Sequence, residues 1–156
     1  ASATQRTMIA GKATEGWVSP LPLESWQWGY PAYGGILATY TRDPNAANVS
    51  IFFYIPAYQK WVTVRLVQLL SISDDEWGIW IMGTWDAYVN GQLFLDNAEA
   101  GISFGLPDSD YPLCAQNGCW KIHICGTASC TPYNPSEPGS GDMLHVTGPI
   151  TYRASR

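Results

Sequence analysis

Charge is what this sequence has least of. Lys, Arg, Asp and Glu make up 13% of the 156 residues, about half the share usual in soluble domains. The eight Lys and Arg are scattered and the net charge is −5. No basic cluster exists to hold a phosphate backbone, which excludes nucleic acid and anionic bilayer surfaces as expected partners. No apolar run approaches the roughly 18 residues that a membrane-spanning helix needs. No stretch sustains apolar residues at helical spacing, so long amphipathic helices are excluded too. The chain begins at Ala1 rather than at a methionine, which reads as a processed product or an excised domain.

What is present is β patterning. Residues 1–16 are small and polar and read as a flexible arm or an edge strand. Prolines and glycines among the aromatics of Trp17 to Gly35 rule out a long helix. Ile36 to Thr41 is rich in β-formers and ends at the turn signal Arg42-Asp43-Pro44-Asn45. Val49 to Ile55 reads as a buried strand. In Lys60 to Leu70, Val62, Val64 and Leu66 alternate with Thr63 and Arg65, the period of a half-buried strand. Asp74-Asp75-Glu76 reads as a charged turn before an apolar strand from Trp77 to Trp85. Asn90-Gly91 between Tyr88-Val89 and Gln92-Leu93-Phe94 predicts a type I′ hairpin. Residues 101–118 read as loop, Cys119 to Cys125 as a strand and Met143 to Tyr152 as a last strand interrupted near Gly148-Pro149. The expected fold is all-β: one antiparallel β-sandwich or jelly-roll-like domain over residues 17–156.

The four cysteines are Cys114, Cys119, Cys125 and Cys130. If Cys119 to Cys125 is extended, its ends stand about 20 Å apart, whereas a disulfide needs Cα atoms within roughly 7 Å. The local pairs Cys114–Cys119 and Cys125–Cys130 are therefore expected, each stapling a short loop at one end of the strand. A zinc site would need the two halves closer together. Disulfides imply an oxidising setting, so the chain is expected to be extracellular: secreted, or on a virion or cell surface. Asn48-Val49-Ser50 matches the N-glycosylation acceptor pattern.

Catalytic signals are thin. Gly101-Ile102-Ser103-Phe104-Gly105 matches G-x-S-x-G, but the flanking residues do not offer the strand-to-helix turn of a nucleophile elbow. His123 and His145, both in expected strands, would serve as acid and base or metal ligands only if they faced each other. The carboxylates at Asp74-Asp75-Glu76 and Asp108-Ser109-Asp110 read as solvated turns. No catalytic residue, metal or cofactor is expected.

Aromatic residues are the stronger signal, with eight Trp, nine Tyr and four Phe. Phe52, Phe53, Phe94 and Trp120 sit among aliphatics and read as core. Trp26, Trp28 and Tyr30 would line one face of an extended segment, with Tyr33 close by. The arrangement resembles the aromatic strips of carbohydrate-binding modules, as an analogy without a family motif. Flat amphipathic rings on a loop-rich surface suit sugar or protein contact. The expected function is a non-catalytic, lectin-like or receptor-binding recognition module, with a carbohydrate or cell-surface receptor as partner. One alternative is a structural subunit or projecting domain of a coat, virion or surface assembly that self-associates into an oligomer. A second is a small secreted hydrolase.

Overall fold

The computed structural model describes residues 6–19, 30–42, 44–75, 78–105, 118–125 and 142–154. Eight strands run in chain order: β1 (Arg6–Val18), β2 (Tyr30–Arg42), β3 (Asn45–Ile55), β4 (Lys60–Asp75), β5 (Gly78–Val89), β6 (Gln92–Gly105), β7 (Cys119–Cys125) and β8 (Asp142–Ala154). A single 3₁₀ turn, Pro56–Tyr58, is the helical element among the described residues. Each strand pairs antiparallel with the next, and β8 returns to β1, so the sheet closes into a barrel. The expected sandwich is thus corrected to a closed antiparallel barrel. Alternating inward and outward residues serve both architectures. What separates them is the β1–β8 ladder, from Thr7↔Ala154 to Val18↔Leu144, which leaves neither strand with an open edge. For the same reason, residues 6–16 are neither arm nor edge: they pair with β2 on one side and β8 on the other.

Inward side chains fill the lumen. Ile9, Ile51, Phe53, Ile55, Val62, Val64, Ile81, Trp85, Ile102, Trp120, Ile122, Ile124, Leu144 and Val146 are all fully buried. An eight-stranded barrel is just wide enough for its interior side chains to occupy it, and here two tryptophans and a phenylalanine supply the bulk. Both of these lumenal indoles find an acceptor. Trp85 Nε1 donates to the Ala100 carbonyl at 2.9 Å, and Trp120 Nε1 donates to the Lys12 carbonyl at 3.0 Å. Lys12 lies where the β1–β8 register slips between Gly11 and Glu15, so the indole satisfies a carbonyl that the ladder leaves over.

Bulges shift the phase of the long strands. In β4, Leu66 pairs with Trp85 and Gln68 with Thr84, and Leu69 pairs with Gly83 and Ser71 with Met82. Val67 and Leu70 are the extra residues, each about half exposed. The alternation of Val62, Val64 and Leu66 therefore does not continue down the strand. β4 runs on to Asp75, so Asp74 belongs to a ladder rather than to the expected turn; it pairs with Ile79 and accepts the Tyr40 hydroxyl at 3.4 Å. The Asn90-Gly91 hairpin is present, with φ of 50° and 80° at its two turn residues.

Candidate functional site

An aromatic cluster lies on the outer wall. Tyr33 pairs with Tyr54 across β2–β3, and Tyr54 pairs with Trp61 across β3–β4, which sets all three in one row. Phe52 sits one outward position along β3, opposite Gly35, which adds no side chain to cover it. The Trp61 ring meets Tyr54 at 4.3 Å and 31°, and Phe52 at 5.2 Å and 30°. Tyr33 is 66% exposed, Trp61 50% and Phe52 45%. Phe52, expected in the core, is thus a surface ring, while its neighbour Phe53 is fully buried. The two-residue period of a strand demands this opposition.

The hairpin holds Trp61 in place. The Trp61 amide donates to Asn90 Oδ1 at 2.8 Å, and the Asn90 amide donates to the Trp61 carbonyl at 2.8 Å. With Asn90 Oδ1 engaged, its NH2 is the end available to a ligand. Gln59, in the left-handed conformation that closes the 3₁₀ turn, is exposed beside it. Tyr54, Gln59, Trp61, Asn90 and Gly91 line an open groove of about 640 Å³. Its lining carries no charged side chain and combines two aromatic rings with two side-chain amides.

The expected strip is divided. Trp26 and Trp28 lie outside the described residues. Tyr30 is buried at 8% exposure and meets Tyr58 edge to face at 4.8 Å; the Tyr58 hydroxyl donates to the Tyr30 hydroxyl at 3.1 Å. Tyr30 and Tyr33 stand an odd number of residues apart and face opposite sides of β2, so they do not share a surface. The partners of Tyr33 were missed in the sequence because they come from β3 and β4. Pro56 and the Asn90-Gly91 turn beside them were the legible signals.

Cys119 and Cys125 are disulfide-bonded at opposite ends of β7, and no free thiol occurs among the described residues. Extended β7 keeps them about 20 Å apart, so they are not bonded to each other. Cys114 and Cys130 lie outside the described residues, as do Asp108 and Asp110. Ser103 stands within β6 rather than in the expected loop, pairs with Lys121, and turns its hydroxyl to the Lys121 carbonyl at 3.4 Å. A serine in mid-ladder lacks the exposed, strained turn of a nucleophile elbow.

His123 and His145 do face each other. They are direct register partners across β7–β8, with ring centroids 5.3 Å apart and planes at 87°. Trp17 pairs with His145 from β1 and is buried. Burial first, then His123 and Lys121, push the His145 pKa down to about 4. No group of three or more metal-binding side chains occurs among the described residues. Comparison with known protein families, curated proteins and solved structures finds no match to this chain.

Proposed function

We propose that this chain is a non-catalytic recognition module that works outside the cell and holds a carbohydrate on the outer wall formed by Tyr33, Tyr54, Trp61 and Phe52. The observation that carries this reading is Trp61. A large ring held half exposed, braced by two other rings and carried on a backbone that exchanges two hydrogen bonds with Asn90, is arranged before any ligand arrives. Sugar C–H faces stack on such rings, and sugar hydroxyls take amide donors such as those of Asn90 and Gln59. The uncharged lining favours a neutral glycan. The row from Tyr33 to Trp61 crosses two strand spacings, about 10 Å, which suits a chain of sugars better than a single ring. Bonded cysteines favour an oxidising compartment.

The alternative, a self-associating structural subunit, draws on other exposed apolar side chains: Met8, Leu37, Val67, Leu70 and Leu93. Two measurements separate the readings. Titration of the intact chain with an array of neutral oligosaccharides should give binding that Trp61→Ala abolishes. Light scattering should show a monomer at all concentrations used. Concentration-dependent assembly that Trp61→Ala prevents, with no glycan bound, would favour the structural subunit and sink the carbohydrate reading.

A further inference from the structure

We propose that the cross-strand pair His123–His145 makes the β7–β8 wall an acid-operated seam, closed while the His145 imidazole is neutral and loosened when it takes a proton. The pair lies on the wall opposite the aromatic cluster and does not depend on it. β7 is the shortest strand of the barrel, seven residues long. Behind it, Ile122, Ile124, Leu144 and Val146 are fully buried. The two rings alternate with these residues and lie half buried on the outer face, where His145 Nδ1 is shielded from solvent, so a proton placed there lacks the water that would stabilise it.

Among the described residues, the surroundings of His145 supply little compensation. The register row through the pair continues to Trp17 on β1, which is uncharged. On β6, Ile102 pairs with Ile122, so Gly101 falls beside His123, and Met82 of β5 pairs with Gly101. From β7 the nearest charge on this face is Lys121, which adds a like charge. Glu15 of β1 pairs with Thr147, two residues along from His145. Glu99 of β6 stands two residues from Gly101 and pairs with Thr84. The side chain of Asp142, on β8, lies outside the described residues. Neither Glu15 nor Glu99 stands in the histidine row itself. His145 Nδ1 is buried without a hydrogen-bond partner, so a proton arriving there meets no acceptor.

The sign follows from the depressed pKa of His145. The unfolded chain takes up this proton near pH 6.5, the folded chain near pH 4. Stability from this residue is complete above about pH 6.5 and is lost progressively as pH falls to 4.

The test is urea unfolding of the full chain at pH 7 and pH 4, wild type beside His145→Phe. Between those pH values the wild-type unfolding constant should rise on the order of 100-fold more than that of the variant. An equal rise in both would overturn the proposal. If His145→Phe does not fold, titration of the wild-type histidine ring protons by NMR decides. A His145 midpoint well below the ordinary value supports the seam, and one near 6.5 in the folded protein overturns it. Amide signals of β7 and β8 should broaden on acidification before those of β3 and β4; simultaneous loss would show general acid unfolding instead.

Discussion

Trp61 and Trp85 place the same side chain in opposite environments. Trp61 stands half exposed on the outer wall, while Trp85 is fully buried in the lumen with its indole N–H bonded to Ala100. Removing the first ring should weaken ligand binding tenfold or more, a loss of at least about 1.4 kcal/mol, and shift the melting temperature by only a few degrees. Trp85→Ala leaves a cavity and an unpaired buried carbonyl, and should cost roughly 3–5 kcal/mol in chemical denaturation. Reversal of the two results would mean that Trp61 is structural. Which ring took which role was only partly legible. Phe52 and Phe53 are adjacent in an apolar run, and alternation requires them to face opposite ways without saying which faces in. The bare position at Gly35 and the partner ring of Trp61, both distant in sequence, decide that Phe52 faces out.

At the scale of elements, local chemistry was readable and register was not. Asn90-Gly91 announces its hairpin because both residues accept positive φ. The bulges at Val67 and Leu70 carry no comparable mark; they arise where a long strand must twist to follow the barrel. Where β8 crosses β1, Gly148 is required by close approach: a Cβ there would overlap the Lys12 carbonyl that also receives the Trp120 indole. Gly148→Ala should therefore destabilise the protein by several kcal/mol, read as a lower denaturation midpoint. A midpoint equal to wild type would show that β8 moves away from β1 at no cost. β7 also tests the cysteine expectation. Non-reducing peptide mapping should recover Cys114–Cys119 and Cys125–Cys130, and a Cys114–Cys130 peptide would contradict that pairing.

For the whole molecule, closure ties the ends of the chain together. β1 and β8 are the most distant strands in sequence, yet they pair from Thr7↔Ala154 to Val18↔Leu144. No strand can leave without opening its neighbours, so tryptophan fluorescence and far-ultraviolet circular dichroism should report one coincident unfolding transition. Two separated midpoints would mean that part of the wall unfolds on its own, with β7–β8 the first place to look. The amino-acid sequence by itself determined the all-β class, the approximate positions of β2 to β5, β7 and β8, and the type I′ hairpin, while the second half of β6 reads in it as loop. Each depends on alternation or turn chemistry within a few residues. It also placed His123 and His145 on strands and Tyr33 near a surface. Only the tertiary structure decided that the sheet closes, that Tyr30 turns inward and that Trp61 joins Tyr54 and Phe52. It alone set the two histidines in register. These outcomes depend on which strand lies beside which, and a period of two is the same whether a strand's neighbour belongs to a sandwich or a barrel.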